Sequence, residues 1–239
     1  MERIILIETS TSLCSVALAE NGNIVAYRES SAPKAHASLT AVFVQEVLEE
    51  KGIKLSDCDA ICVSMGPGSY TGLRVGVSTA KGLCFGSGKH LLAVGTLDTL
   101  VAQAQLEESV SAEEVDFKYI IPMIDARRME VYSAVFETVP AAESEYTQIT
   151  ETTPTIVDEN SFAEYLEQGH VLFIGDGAGK CADVIKHPNA HFCQCNPKAS
   201  AMLEPAMKTY SSQKFEDVAY FEPFYLKEFV ATVSKKKLF

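Results

Sequence analysis

The chain has 239 residues, of which 47% are hydrophobic and 22% are charged, and its formal net charge at pH 7 is −12. That length and apolar content suffice for a sizeable core in one large or two small domains. The acidity belongs to the second half: residues 1–105 carry 8 Lys and Arg against 10 Asp and Glu, whereas residues 106–239 carry 12 against 22. A protein built mainly to hold nucleic acid presents a basic surface, so tight, direct RNA binding is disfavoured.

Nothing in the sequence indicates export or membrane insertion. No apolar run approaches the ~20 residues of a membrane-spanning helix. A strand-like run follows Met1-Glu2-Arg3 directly, without the apolar core of a signal peptide. The seven cysteines are odd in number and scattered, and several lie within apolar runs. We therefore expect a cytoplasmic protein without a disulfide framework and without membrane contact.

The chain begins with a strand meander followed by a helix. The residue pattern predicts strands at 4–8, 14–19 and 24–29, the last two joined by a turn at Asn21-Gly22-Asn23. A helix with a broad apolar arc is predicted from about 36 to 51.

A glycine-rich motif occupies residues 66–76 and reads Gly-Pro-Gly-Ser-Tyr-Thr-Gly-Leu-Arg-Val-Gly. It joins apolar runs at 60–65 and 70–85, which predicts a strand, a tight turn and a helix. Free amides at the start of the helix could face a phosphate. The motif lacks the Gly-Lys-Ser/Thr ending of a P-loop and the glycine spacing of a dinucleotide fingerprint. It is either a phosphate cradle or a turn that caps a packed helix, and spacing alone favours the turn.

The helices at 36–51 and 70–85 carry more apolar surface than packing on one sheet requires. The second one has only Arg74 and Lys81 as charged residues. The surplus predicts a further cover, which is either a second domain of the same chain or a partner protein.

A polar, acidic segment at 106–116 follows a strand at 91–94 and a helix at 97–105, and we interpret it as a linker between domains at 1–105 and 106–239. The second domain begins with a hairpin and so repeats the opening of the first. Its predicted parts are strands at 117–124 and 130–136, a polar stretch from 140 to 159, a helix at 161–168, a strand at 171–174 and helices at 199–210 and 225–233. The last helix could pack back near the first domain. The architecture is therefore a bilobal α/β protein with mixed sheets flanked by helices.

The one metal-like cluster consists of His187, His191, Cys193 and Cys195. The last three would share one face of a strand and could supply zinc ligands. Zinc sites usually combine paired ligands from two separated segments, so we favour coincidental placement.

Three loops could hold a charged ligand or could be ordinary turns. Glu8-Thr9-Ser10 follows the first strand, where it could meet a magnesium-bound phosphate or cap a turn. The loop around Gly177 follows a later strand and could lie against a nucleotide. Asp125, Arg127 and Arg128 form a charged hairpin corner, which exposes such residues in any case. We retain Glu8, Thr9, Ser10 and Gly177 as weak nucleotide-binding candidates and assign no cofactor.

Four stretches of the chain resemble one known family. They are Ile7-Glu8-Thr9-Ser10-Thr11-Ser12, the glycine motif, Asp125-Ala126-Arg127-Arg128-Met129-Glu130-Val131-Tyr132, and Pro223-Phe224-Tyr225-Leu226-Lys227. Over nearly its whole length the sequence is similar to the bacterial TsaB family, also called YeaZ. The resemblance implies an actin-like ATPase-type, ribonuclease H-like fold of two lobes. It also implies membership of the complex that installs threonylcarbamoyl on the adenosine beside the tRNA anticodon.

The resemblance further implies a supporting subunit without catalytic residues. In that complex the paralogue TsaD performs the transfer, the ATPase TsaE docks on the pair, and TsaB meets tRNA only indirectly. TsaD carries two metal-binding histidines four residues apart on one helix. The best-matching positions here are Thr96 and Leu100, and a leucine side chain has no lone pair to give a metal. We therefore expect no metal site.

The same resemblance implies that the helices at 36–51 and 70–85 pair with TsaD, and that this surface pairs two copies when the chain is alone. We expect the contact residues to be Leu39, Val42, Phe43, Arg74, Val75 and Val77. One alternative is an actin-fold ATPase or small-molecule kinase that uses Glu8 and the glycine loops. A direct tRNA-binding module is the third hypothesis, and the acidic charge makes it the weakest.

Overall fold

The first lobe is built on a five-stranded sheet in a computed structural model that describes residues 2–111, 115–138 and 146–227. The strands are β1 (Arg3–Glu8), β2 (Cys14–Glu20), β3 (Asn23–Ser30), β4 (Ala60–Gly66) and β5 (His90–Gly95). Their order is β3-β2-β1-β4-β5, in which the first three are antiparallel neighbours and β4 and β5 run parallel to β1. Strand β1 is a continuous apolar run because the sheet is covered on both faces.

Two helices cover one face of this sheet, namely α1 (Ala35–Glu50) and α2 (Tyr70–Ser87). They lie over a core that includes Ile7 and Val63 from the sheet and Val47 from α1. Ser69 caps α2, because its hydroxyl accepts the Gly72 amide at 3.3 Å. Gly88 ends the helix in the left-handed region, at φ 67°. Both helices begin and end within two residues of their predicted bounds.

The second lobe repeats the first. The elements that follow β5 in chain order are α3 (Thr96–Ala104), α4 (Glu108–Ser111), β6 (Tyr119–Asp125), β7 (Glu130–Ser133), β8 (Phe136–Thr138), β9 (Tyr146–Gln148), β10 (Thr153–Ile156), α5 (Ala163–Leu166), β11 (Val171–Gly175), α6 (Ala178–Ala182), β12 (Ala190–Gln194) and α7 (Leu203–Ser211). The order β10-β7-β6-β11-β12 has the same pairing directions as the sheet of the first lobe. The predicted two-lobed α/β fold is therefore confirmed.

The outer strands of the second sheet are interrupted, and here the sequence prediction was wrong. Strand β7 pairs with the end of β6 and β8 pairs with its beginning, while β9 and β10 continue the sheet outward. The single strand predicted at 130–136 is divided into β7 and β8, and the stretch 140–159, which the sequence describes only as polar, contains β9 and β10. Most side chains of these edge strands are exposed or half-buried, so they show no apolar alternation.

Other predicted bounds changed in smaller ways. Helix α5 is shorter than predicted and follows Phe162, whose backbone has φ 63°. A 3₁₀ turn, Ala199–Met202, precedes α7, and α4 lies within the predicted linker. The predicted helix at 225–233 lies beyond residue 227, outside the described residues, for all but its first three positions. Within the described ranges, no helix is long and apolar enough to cross a membrane.

Helices cross between the two halves of the chain. Helix α3 buries Leu97 and Leu100 against Ile120 and Ile174 of the second sheet. The segment 199–211 packs in turn on the open face of the first sheet, where Met202 belongs to the same core as Leu6 and Leu92. Each sheet thus has one face covered by a helix from the other half of the chain. The domain boundary at 105/106 stays a prediction.

The chain then returns along α2 as a C-terminal strap, residues 216–227. The Glu216 amide donates to the Leu91 carbonyl at 2.8 Å, and the Phe224 amide donates to the Met65 carbonyl at 2.8 Å. Lys227 forms an ion pair with Glu130 of the second lobe. The strap therefore runs from the end of the first sheet to the second sheet.

Candidate functional site

The turn after β1 is sealed beneath α2. The side chains of Glu8, Thr9 and Ser10 are 0% exposed. The Thr9 hydroxyl donates to the Gly72 carbonyl at 2.9 Å, and the Ser69 amide donates to the Ser10 carbonyl at 2.6 Å. The three candidate residues are therefore closed off from solvent by α2, and a role for them in nucleotide binding stays a prediction.

The glycines of the motif are explained by this contact. A Cβ atom on Gly72 would collide with the Thr9 carbonyl oxygen, one on Gly68 with the Ser10 carbonyl oxygen, and one on Gly76 with the Thr9 hydroxyl. The three glycines are four residues apart and face the same turn. Of the two interpretations of the motif, the packed helix is the one that the geometry supports.

The Glu8 carboxyl is buried, and only one of its two oxygens is hydrogen-bonded among the described residues. Its Oε1 accepts the Ser10 amide at 2.7 Å, whereas its Oε2 has no hydrogen-bond partner in the described part of the chain. Burial raises the pKa of Glu8 to about 7, and this desolvation outweighs the neighbouring amides and hydroxyls that stabilise the charged form. Near neutral pH the carboxyl is therefore partly protonated.

The loop around Gly177 is tied to the neighbouring strands. The Gly177 amide donates to the Met123 carbonyl at 3.0 Å, and a Cβ atom there would lie 2.9 Å from Val131. Asp176 accepts the Asp125 amide at 2.9 Å, and burial raises the pKa of Asp176 to about 6. The Gly177 amide, which the sequence suggested could lie against a nucleotide, is thus hydrogen-bonded within the protein.

The predicted charged corner lies next to this loop. Asp125 forms an ion pair with Lys180 and accepts the Arg127 amide at 2.9 Å. Arg127 and Arg128 are exposed and both have positive φ, 72° and 52°. The turn that the sequence predicts between β6 and β7 is confirmed.

The histidine and cysteine cluster has other contacts. His187 Nδ1 accepts the Asn189 amide at 3.2 Å, and His191 Nε2 lies 3.0 Å from Nδ1 of His170. Cys193 Sγ lies 3.7 Å from the Ser109 hydroxyl. Among the described residues, no three His, Cys, Asp or Glu side chains are arranged to hold a metal ion.

Thr96 and Leu100 are structural. Thr96 is buried and shares a 2.8 Å hydrogen bond with Ser64, at the ends of neighbouring strands. Leu100 is buried in the layer between α3 and the second sheet. Their roles are those of core residues.

The predicted partner surface is only partly exposed. Phe43 and Val77 are 8% and 4% exposed and pack in the core beneath α1 and α2, so the expectation that they face outward is corrected. Val42 is 42% exposed and Arg74 is exposed, while Leu39 and Val75 are half-buried. Because the apolar arcs of α1 and α2 are wide, the sequence does not indicate which of their residues face the sheet.

Phe85, which is not among the predicted contact residues, is 85% exposed near the end of α2. The helical spacing of Arg74, Ser78, Lys81 and Phe85 places them along one side of the helix. Because three of these four residues are polar or charged, their spacing indicates that Phe85 lies on the exposed side of the helix.

These features define a two-lobed α/β protein with a mixed sheet in each lobe, in which the turn after the first strand is closed by the chain's own helix. Residues 27–235 match the family model described as TsaD: tRNA N6-adenosine threonylcarbamoyltransferase. The tRNA threonylcarbamoyladenosine biosynthesis protein TsaB of Escherichia coli K12 is 30% identical over 234 residues, covering 96% of each chain. The TsaB of Haemophilus influenzae is 30% identical over 238 residues, covering 98% of this chain and 96% of that one.

A solved structure agrees with these sequence comparisons. YeaZ from Pseudomonas aeruginosa superposes with a TM-score of 0.80 at 26% identity, covering 95% of this chain and 100% of that one. The chain belongs to the TsaB family, also known as YeaZ.

Replacing Gly72 tests the close contact between α2 and the turn after β1. Gly72→Ala adds a methyl group against the Thr9 carbonyl, and we expect the free energy of unfolding to fall by about 1–3 kcal/mol. Gly82→Ala is the matched control, because Gly82 lies in the same helix and a Cβ there meets nothing within 4 Å. That control should raise stability by up to about 1 kcal/mol. Urea denaturation measures both, and equal effects would contradict the packing role.

The Glu8 carboxyl should make stability depend on pH. Its pKa is raised from 4.5 to about 7 in the folded state, so the folded protein holds a proton that the unfolded chain releases. The stabilisation is greatest below pH 4.5 and is lost as the pH rises through 7. Relative to Glu8→Gln, the wild type should lose about 2 kcal/mol between pH 5 and pH 7.5. The titration of Asp176 contributes equally to both proteins and cancels in the comparison. The free energy of unfolding is measured by urea denaturation at each pH. If it changes in parallel for the wild type and Glu8→Gln, the raised pKa does not belong to Glu8.

Proposed function

We propose that this protein supports the synthesis of threonylcarbamoyladenosine in tRNA as a non-catalytic subunit that binds and orders a TsaD-type transferase. The family assignment supplies the process, since the relatives are named for threonylcarbamoyladenosine biosynthesis. The observation that carries the non-catalytic role is the complete burial of Glu8, Thr9 and Ser10 beneath α2. Transfer chemistry requires groups that reach the substrate, and this turn reaches only the protein interior.

The surface of α1 and α2 supports a pairing role. Val42 and Phe85 are exposed apolar side chains on these helices, and Arg74 lies along the same exposed side of α2 as Phe85. Aromatic residues and arginine are enriched at protein interfaces. The half of the chain that carries this surface is nearly neutral, whereas the rest is acidic. An interface of about 800 Å² per partner is an ordinary size for a stable complex.

The remaining parts of the proposal follow from this pairing. A TsaE-type ATPase docks on the assembled pair, and tRNA is contacted through the transferase. When the transferase is absent, the same surface pairs two copies of this chain. The cytoplasm, where tRNA is modified, is the proposed location.

Reconstitution tests the division of roles. The isolated chain should show no threonylcarbamoyl transfer to transcript tRNA when given the activated donor, and transfer should require the TsaD-type partner. Calorimetry with ATP and magnesium should detect no binding to the isolated chain, because the turn that would face the phosphates is covered. Turnover of ATP or a sugar by the isolated chain would instead favour the ATPase or kinase alternative.

Charge substitution tests the surface. Val42→Asp and Phe85→Asp each place a carboxylate in the proposed apolar contact and should weaken assembly with the transferase at least about tenfold. Ile156→Asp is the matched control, because Ile156 is 75% exposed on β10 of the other lobe. Binding is measured by calorimetry after each variant has been shown to unfold like the wild type. If the wild type and all three variants bind the transferase with equal affinity, the interface lies elsewhere on the protein.

A further inference from the structure

A groove of about 590 Å³ lies between α2 and the C-terminal strap. One wall is formed by Arg74, Ser78 and Lys81 of α2, and the other by Phe221, Pro223 and Tyr225 of the strap. Val77 and Glu222 complete the lining.

The strap holds the groove in shape without a partner. Lys81 Nζ donates to the carbonyls of Ala219 and Phe221 at 3.2 and 2.9 Å. The Tyr225 ring packs on Tyr70 with a centroid distance of 4.8 Å. The Phe224 carbonyl lies so close to Gly66 that a Cβ there would approach it to 2.9 Å. The walls are therefore anchored at several points, which lowers the entropy cost of filling the groove.

The groove combines positive charge with aromatic surface. An ammonium group has three donors, and Lys81 uses two of them on the strap, so one remains for an acceptor in the groove. The Arg74 guanidinium lies 4.8 Å from the centre of the Tyr70 ring and hydrogen-bonds the Tyr225 side chain. A guanidinium has five N–H donors, so this contact leaves others for a carboxylate in the groove. Among the described residues that line the groove, Glu222 is the one acid, and Arg74 and Lys81 outnumber it.

We propose that this groove receives an acidic segment of the TsaD-type partner, whose carboxylates pair with Arg74 and Lys81. The inference rests on the proposed function and extends it, because it assigns a second contact region beside the apolar face of α1 and α2. Arg74 and Ser78 belong both to the groove and to the exposed side of α2, so one partner can cover both without a gap. The half of the chain that carries α2 is nearly neutral, so the two cations on one wall give the groove a local positive charge that complements an acidic segment.

A protein occupant is favoured over RNA. Tight RNA binding requires a tract of cations that tracks several phosphates, and this lining offers two. Apolar and aromatic side chains make up much of the remaining wall, as in the core of a protein interface.

The test uses the complex of this chain with the TsaD-type subunit of the same organism. A carbodiimide joins an amine to a carboxylate in direct contact, and mass spectrometry of the digest identifies the joined peptides. We expect Lys81 to be joined to an Asp or Glu of the partner. Lys81→Arg retains the charge and should assemble normally while losing this cross-link.

Affinity gives an independent readout. Arg74→Glu should weaken assembly at least about tenfold at low salt, and Arg74→Lys should recover most of the loss. Lys54→Glu changes the net charge equally on an exposed loop of the same lobe and should have little effect.

The outcomes separate the two proposals. If Val42→Asp disrupts the complex but Arg74→Glu does not and Lys81 forms no cross-link, the groove assignment is overturned and the scaffold role stands. If the wild-type chain does not bind the transferase, the proposed function itself fails. If Arg74→Glu lowers affinity for tRNA and leaves affinity for the partner unchanged, the groove binds RNA and this inference is wrong.

Discussion

The close approach of Gly72 to the Thr9 carbonyl is the constraint on which the rest of the molecule depends. It brings the backbone of α2 onto the turn after β1 and buries Glu8, Thr9 and Ser10. The same contact sets the position of α2 on the sheet, and thereby decides that Val77 packs inward and that Phe85 projects outward. A side chain at residue 72 would have to move either the helix or the turn.

The crossing helices connect that local contact with the whole fold. Because α3 completes the core of the second lobe and the segment around Met202 completes that of the first, neither sheet is fully covered by its own half of the chain. The strap is hydrogen-bonded to β5, to Lys81 of α2 and to β4, and it ends at the Lys227 to Glu130 ion pair. Elements from both halves of the chain therefore hold α2 in place and leave one side of it exposed.

Charge and burial together support the proposed role as a subunit that acts through its surface. Glu8 lies at the end of β1, and Asp176 follows β11. Each carboxyl group accepts a hydrogen bond from a backbone amide of the protein. Burial raises the pKa of both carboxyls, and here this reflects internal packing. Arg74 and Phe85 are instead exposed on α2, and Tyr225 is exposed on the strap beside it, so this surface suits the proposed protein partner.

The sequence by itself determined the strands β1 to β5, the helices α1 and α2 and the repeat of the hairpin-led unit, because these depend on local periodicity and turn residues. It also carried the family motifs. Only the tertiary structure decided that Phe43 is buried while Val42 is exposed, because both lie on one broad apolar arc and the position of the sheet selects between them. It also revealed the edge strands β9 and β10, whose polar side chains carry no alternation. The role of the glycines at 68, 72 and 76 depended likewise on what lies opposite them, and residues distant in sequence supply that surface.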